Sequence, residues 1–214
     1  MAKNRWAAAL VALVGAAVVI SLYRYNQQHY VDDSYIVVNV AALLWLPMLL
    51  IFLGLREDPA HFGFALGDLK QGYRLAGLCF LGVLPLLFIA SRLPSFQEYY
   101  PINKNAELSL AWFAYFELTY GLYLFCWEFF FRGFLLFGLY KHIGWVSVLV
   151  QAIAFGIMHF GKVPAEFVVS FLAGIILGVV ALRAKSFVPC FVLHWASAVT
   201  FDVLIIAAKH HILF

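Results

Sequence analysis

The sequence predicts an all-α fold, a polytopic membrane bundle of about seven transmembrane helices. Hydrophobic residues make up 65% of the 214 residues, charged residues make up 12%, and the mean hydropathy is +0.92. A soluble domain of this size cannot bury so many apolar side chains, whereas lipid can cover them. Apolar runs of about 20 residues, the length that crosses the hydrocarbon core, also recur along the chain.

Three apolar runs separated by polar residues begin the chain. They cover residues 6–23, 35–55 and 72–90, and each is close to the roughly 20 residues of a transmembrane helix. The first run follows Lys3 and Arg5, as in a signal peptide, but it continues into Ser-Leu-Tyr-Arg-Tyr rather than into a cleavage site of small residues. We therefore predict a retained first span.

The second half of the chain begins with an apolar run that is too long for one span. It extends from residue 108 past Arg132 to Tyr140, so we expect it to break, tilt strongly or leave the membrane near Arg132 and Gly133. Further runs complete the seven spans, at residues 145–160, 167–182 and 187–208. The chain thus divides into an N-terminal three-span region, residues 1–107, and a second membrane domain, residues 108–214.

The charged residues indicate an orientation and argue against one class of function. With the N-terminus in the cytoplasm, eight of the fourteen Lys and Arg residues lie on the cytoplasmic side and five lie outside. The formal net charge of +3 is small and scattered, which argues against nucleic-acid binding. The three cysteines lie in or beside apolar runs without metal-ligand spacing, so we expect buried thiols.

One carboxylate and one guanidinium interrupt the long apolar run. Glu128 and Arg132 stand four residues apart, so a helix places them one turn apart on one face, where they can pair. Each charge alone would be costly in lipid, so the pair is expected to face protein or trapped water. Ionisable residues inside a membrane span predict a functional site.

Two histidines fall on other predicted spans. His159 ends the fifth span and His194 lies inside the seventh. Together with Glu128 they can hold a zinc ion that lowers the pKa of a bound water. Without a metal, a glutamate and a histidine can deprotonate water while other donors stabilise an oxyanion. The residues alone leave both mechanisms open.

Three other carboxylates have simpler interpretations. Glu117 lies about three helical turns before Glu128, so we interpret it as a further polar contact rather than a catalytic partner. We interpret Asp202 as a pairing or capping residue and Glu166 as a helix-start carboxylate that the helix dipole favours. The chain contains neither the His-Glu-x-x-His sequence of zinc proteases nor the Gly-x-Ser-x-Gly sequence of serine hydrolases.

The order of the candidate residues resembles a known family. Glu128 and Arg132 form a Glu-x3-Arg motif, Phe155 and His159 form a Phe-x3-His motif, and His194 lies near the start of the last span. These motifs are similar to those of the CPBP (Abi) intramembrane metalloproteases, which include the CaaX prenyl endopeptidases and bacteriocin-processing or self-immunity proteins. The resemblance covers about residues 108–206, and the first three spans are generic.

The resemblance implies a site and a reaction. In this family Glu and His residues line a membrane cavity where water attacks a peptide bond near a substrate's C-terminus. By this resemblance Glu128 and His159 would activate water, His194 would be a metal ligand or an oxyanion donor, and Arg132 would hold Glu128. The expected cofactor is zinc on Glu128, His159 and His194, with a metal-free site as the alternative.

The resemblance also implies partners and a location. The expected partners are membrane lipid and a peptide or protein substrate with a hydrophobic or lipidated segment. The similarity to prokaryotic family members implies a multi-pass protein of a prokaryotic plasma membrane.

The chain departs from the family pattern at two positions. The first motif of the family has two adjacent glutamates, of which the first is usually assigned the catalytic role, and Trp127 stands there. The last motif is usually His-x3-Asn, and Ala198 stands in place of the asparagine, with Ser197 and Asp202 as the nearest polar alternatives. The fold expectation is unaffected by either change.

Three functions are consistent with these residues. The first is an intramembrane endopeptidase of CaaX type or one that processes C-terminal tails or leader peptides. The second is a catalytically altered family member that acts as a membrane binding or bacteriocin-immunity protein. The third is a small transporter or channel that uses the polar groups as a proton or ion relay, although the chain lacks the paired broken helices of common transporters.

Overall fold

The computed structural model describes residues 5–210, and this part of the chain contains helices and no strand. Six helices are long and apolar enough to span a membrane, a further apolar helix is shorter, and an additional short helix precedes the longest one. The helices are α1 Arg5–Asn26, α2 Asp33–Leu55, α3 Leu69–Ala90, α4 Pro94–Tyr99, α5 Leu110–Ile143, α6 Val146–Ile157, α7 Pro164–Ala184 and α8 Val188–Lys209. This architecture confirms the predicted all-α polytopic bundle of an integral membrane protein.

The helices begin where the sequence supplies capping residues. The side chains of Asp32, Asp68 and Ser109 accept hydrogen bonds from backbone N–H groups in the first turns of α2, α3 and α5. The spans therefore begin and end within a few residues of the predicted apolar runs. The fifth span is shorter than predicted, because α6 ends at Ile157 and His159 lies in the turn that follows.

Helix α5 differs from the prediction, because it does not break at Arg132 and Gly133. It stays helical over 34 residues, about 51 Å at 1.5 Å per residue, and it widens into a π-helix at Phe129–Leu135. In its apolar stretch 83% of the residues are buried, compared with at most 33% in the other long helices. Protein therefore surrounds most of the helix from Tyr123 to Leu139, whereas Leu110, Leu118 and Leu122 nearer its start are exposed.

The core around α5 is aromatic. Phe129, Phe131 and Phe134 in the π-helical segment have no solvent exposure. Phe64, from the connection between α2 and α3, packs edge-to-face on Phe129 with ring centroids 5.3 Å apart. Large apolar side chains cover the outer surfaces of the other long helices, as expected for surfaces in contact with lipid.

The connection between α2 and α3 is fixed on α5 at one end of the bundle. A Cβ atom at Gly133 would lie 2.9 Å from the carbonyl oxygen of Phe62, so glycine allows this close approach. Lys141 Nζ donates a hydrogen bond to Glu57 at 2.7 Å, and this hydrogen bond lowers the pKa of Glu57. The α2–α3 connection therefore contacts α5 both beside Arg132 and at its C-terminal end.

Candidate active site

A glutamate on α5 contacts a histidine on α8 inside the bundle. Glu128 lies just before the π-helical segment, and its side chain has no solvent exposure. Its Oε1 atom lies 2.7 Å from Nδ1 of His194 and accepts a hydrogen bond from Nη1 of Arg132 at 3.2 Å. Because an ionised carboxylate only accepts hydrogen bonds, Nδ1 of His194 donates and Nε2 keeps a lone pair. Three predicted site residues therefore meet across α5 and α8.

Arg132 balances the charge of Glu128. Its guanidinium is fully buried and lies over the ring of Phe155, 4.0 Å from the ring centroid. Its Nε and Nη2 atoms have no hydrogen-bond partner among residues 5–210. The ion pair and the cation–π contact thus compensate a charge that is otherwise costly to bury. The predicted pairing of Glu128 with Arg132 is confirmed.

His159 lies in the turn after α6. Its Nδ1–H donates to the carbonyl oxygen of Phe155 at 2.8 Å, which makes Nε2 the acceptor nitrogen of the neutral ring. The ring of Phe155 lies 4.6 Å from His159 and 6.1 Å from His194, measured between centroids. Within the described residues His159 forms no hydrogen bond to Glu128. The ring of Phe155 lies beside both histidines.

A second polar cluster lies beside His159 at the start of α7. Glu166 accepts hydrogen bonds from Lys162 Nζ at 2.9 Å and from the Tyr100 hydroxyl at 2.7 Å, and it lies 3.9 Å from Nε2 of His159. Burial alone would lower the pKa of Lys162, but the charge of Glu166 raises it above its ordinary value. Burial and the same carboxylate raise the pKa of Tyr100. Glu166 lies in the first turn of α7, as predicted.

A cavity of about 340 Å³ lies beside both histidines. His159 and His194 line it, whereas Glu128 and Arg132 do not. The other lining residues come from the helices α1, α2, α4 and α5 and from the connections α1–α2, α4–α5 and α6–α7, which meet at the same end of the bundle. The cavity therefore lies at the end opposite to the α2–α3 connection, and the predicted orientation places it on the outer side of the membrane.

The sequence analysis missed most of the cavity wall. Tyr120, Tyr123 and Trp127 lie on one face of α5, with ring centroids 5.3 and 5.4 Å apart along the row. Their i, i+3, i+7 spacing was the signal available in the sequence. Asn26 at the end of α1 and Gln27 in the connection that follows also contribute polar groups to the wall. In total five tyrosines line the cavity, Tyr30, Tyr35, Tyr99, Tyr120 and Tyr123.

The two positions that depart from the family pattern have different surroundings. Trp127 lines the cavity, with its ring 6.0 Å from that of His159. Its indole N–H is buried and has no acceptor within residues 5–210. Ala198 lies one turn beyond His194 and packs against the hydrophobic core. Asp202 does not replace the missing asparagine in the cavity wall, because it is buried outside the cavity lining.

Two further carboxyl groups, those of Glu117 on α5 and Asp202 on α8, are buried. Both side chains are 4% exposed, and neither carboxyl oxygen of Glu117 nor Oδ1 of Asp202 has a hydrogen-bond partner among residues 5–210. Such buried carboxyl groups are costly to keep charged. Nε1 of Trp195 on α8 donates to the Glu117 carbonyl oxygen at 3.0 Å. This contact joins the two helices that bring Glu128 to His194.

The observed arrangement does not fit a metal ion held by three protein side chains. Among residues 5–210 no three His, Cys, Asp or Glu side chains lie close enough together to hold one. Oε1 of Glu128 is shared by Arg132 and His194, and Nδ1 of His159 is bonded to the backbone. Zinc binding would require these side chains to rearrange, and it stays a prediction.

Comparison with known proteins supports the motif assignment. Residues 110–200 match the family model described as Type II CAAX prenyl endopeptidase Rce1-like. The matched segment begins with α5 and ends within α8, so it contains Glu128, Arg132, His159 and His194. Comparisons with curated proteins and with solved structures gave no match. The match covers less than half of the chain, and over that segment it confirms the resemblance to the CPBP/CaaX protease family.

Proposed function

We propose that this integral membrane protein, which resembles type II CaaX endopeptidases over residues 110–200, is an intramembrane endopeptidase. The observation that carries the proposal is the 2.7 Å contact between Nδ1 of His194 and Oε1 of Glu128, with the ring of His194 in the cavity wall. A histidine oriented by a buried carboxylate is an arrangement that general-base catalysis uses. The cavity supplies room for a water and a peptide beside that histidine.

In the proposed mechanism His194 is the general base. A water in the cavity transfers a proton to Nε2 of His194 while its oxygen bonds to the carbonyl carbon of the substrate. Glu128 holds the ring through Nδ1 and stabilises the imidazolium that forms. The C–N bond then breaks, and His194 returns the proton to the leaving amine. The products are a new C-terminal carboxylate and a new amino group.

Neighbouring residues position the reactants. Nε2 of His159 accepts a hydrogen bond from the same water, and the unpartnered indole N–H of Trp127 is a donor for the oxyanion. Arg132 lies 3.2 Å from the Glu128 carboxylate and compensates its negative charge inside the bundle. This scheme differs from the sequence prediction, in which Glu128 acts directly on water, because Glu128 does not line the cavity.

Peptide cleavage by the purified protein in lipid nanodiscs tests the proposal. We expect the wild type to cleave members of a quenched-fluorescence peptide panel. His194→Ala should lower kcat/KM by about 10²- to 10⁴-fold, the contribution of a general base. The matched control is His61→Ala, since His61 is exposed in the α2–α3 connection and should leave kcat/KM unchanged.

Two results would contradict the proposal. One is a folded wild type that cleaves no peptide of the panel, and the other is a His194→Ala variant as active as the wild type. A chelator arm tests the metal alternative. We expect activity to persist in excess chelator, and loss that zinc restores would show that the side chains rearrange around a metal.

A membrane binding or immunity protein without catalysis is the second candidate. The observation that favours it is Trp127 in place of the first glutamate of the family motif. Such a protein would bind peptides and release them uncut in the same assay. A proton relay is less consistent with the fold, because the residues after Arg132 in α5, including Phe134 and Leu136, are buried and apolar.

A further inference from the structure

We propose that the cavity binds an unlipidated peptide segment that enters from the aqueous face of the membrane. The proposal rests on the proposed function for the cleavage that follows binding, but binding itself can be measured separately. It specifies the substrate class, because the family resemblance implies tails that carry a prenyl group, and the observed cavity does not suit one.

About half of the surface of the cavity wall is polar, which suits a hydrocarbon chain poorly. Twelve of its eighteen lining residues carry a polar side-chain atom. Pockets for apolar ligands are lined mainly by hydrophobic side chains with few polar groups. An isoprenoid has no hydrogen-bonding atoms, so it would leave polar groups of the wall without water or partner, which is costly. A peptide offers one donor and one acceptor with nearly every residue.

Three particular donors in the wall lack a protein partner. The hydroxyls of Tyr99 and Tyr120 form no side-chain hydrogen bond within the described residues, and neither does the indole N–H of Trp127. All three side chains line the cavity. Tyr120 and Trp127 lie on the α5 face that leads to His159, so carbonyl groups of an extended peptide can satisfy the donors as it approaches the histidines.

The position and size of the cavity indicate how the segment enters. Gln27, Ile102 and Gly161 line the cavity from three separate connections between helices, at the end of the bundle that faces water. A lipid anchor is therefore not needed to bring a ligand to the opening. The volume of about 340 Å³ lies at the lower end of the roughly 300–1,000 Å³ typical of ligand pockets, so it suits a short stretch of peptide.

The test compares matched peptides that differ only in a lipid. Peptides of one neutral sequence, with a cysteine near the C-terminus that is either free or farnesylated, are presented to the wild type in nanodiscs. Binding is followed by fluorescence anisotropy against empty nanodiscs, and cleavage by kcat/KM. We expect saturable binding of the free peptide, and farnesylation should raise kcat/KM by less than about threefold.

One variant locates the binding in the cavity. Tyr120→Phe removes a single hydroxyl from the wall and should weaken binding of the free peptide by about threefold to tenfold, as expected for one hydrogen bond. Tyr140→Phe is the matched control, since Tyr140 lies near the other end of α5 and outside the cavity. Unchanged binding by Tyr120→Phe would overturn the assignment to this cavity.

The two proposals fail in different ways. Cleavage that requires the farnesyl group would overturn the substrate inference and leave the endopeptidase intact. Saturable binding of the free peptide without cleavage would support the substrate inference and overturn the endopeptidase. The absence of saturable binding for every unlipidated peptide would overturn the substrate inference.

Discussion

Variants of the buried ion pair between Glu128 and Arg132 can show separately what the pair contributes to stability and to catalysis. Neither side chain is exposed, and Oε1 lies 3.2 Å from Nη1. Removal of one partner leaves the other charge buried and unpaired, which typically costs about 3–5 kcal/mol. We therefore expect Glu128→Gln to lower the free energy of unfolding by about that amount. It should also lower kcat by up to about 10⁴-fold, the cost known for removing the charge of a carboxylate that orients a catalytic histidine.

A double variant removes both charges at once. In Glu128→Gln/Arg132→Met no unpaired charge remains, and replacing a buried ion pair by uncharged groups of similar volume is often neutral or stabilising. We expect the free energy of unfolding to return to within about 1 kcal/mol of the wild-type value, while cleavage stays lost. Reversible unfolding in mixed detergent micelles measures the first quantity, and peptide cleavage measures the second.

Two outcomes would refute this reasoning. If Glu128→Gln is as stable as the wild type, the pair is not a desolvated ion pair and Arg132 does not depend on Glu128. If the double variant recovers both stability and cleavage, Glu128 is a structural residue, and its contact with His194 does not contribute to the reaction.

Two further predictions concern helix packing. Gly133→Ala should lower the free energy of unfolding by about 1–3 kcal/mol in the same micelle assay, because its Cβ would lie 2.9 Å from the carbonyl oxygen of Phe62. Gly77→Ala is the matched control. A Cβ atom at Gly77 would have no other part of the protein within 4 Å, so this substitution should not be destabilising. Glu117→Gln should change stability by less than about 1 kcal/mol, because a neutral amide replaces a buried carboxyl group whose oxygens have no hydrogen-bond partner among residues 5–210. A loss above about 3 kcal/mol would show instead that Glu117 carries a charge that the fold needs.

The fold could be predicted because membrane spans depend on local composition. Each apolar run gave one helix of the bundle, and capping residues such as Asp68 and Ser109 fixed the helix starts. For α5 the sequence left a break, a strong tilt or an exit from the membrane near Arg132 and Gly133 as alternatives. The break is wrong, because a π-helical segment continues the helix there, whereas the tilt and the exit stay predictions.

Part of the candidate site could also be predicted. The i, i+4 spacing of Glu128 and Arg132 is a local property of a helix, so their pairing followed from the sequence. The meeting of Glu128 with His194 depended on the packing of α5 against α8, which the family motifs indicated but spacing alone could not show. The sequence could not show that His194 lines the cavity and Glu128 does not, because this depends on how the helices pack around the cavity.

The cavity wall is a tertiary property. Tyr35 and Tyr120 belong to different helices, and Gln27 and Lys162 belong to connections that are distant in the sequence. No short motif contains these residues, so only the residues of the three motifs could be predicted as a site. The substrate inference rests on the polarity of the wall. That polarity depends on the meeting of three connections, which is a property of the folded protein.

The most direct test of the central claim is the fate of the water oxygen. Wild-type protein in nanodiscs would cleave an unlipidated peptide in H₂¹⁸O, and mass spectrometry would follow the new C-terminal carboxylate. The account predicts one ¹⁸O atom in that carboxylate for the wild type and for His61→Ala, and no product above background for His194→Ala. Product with ¹⁸O formed equally well by His194→Ala would contradict the assignment of His194 as the base that activates the water.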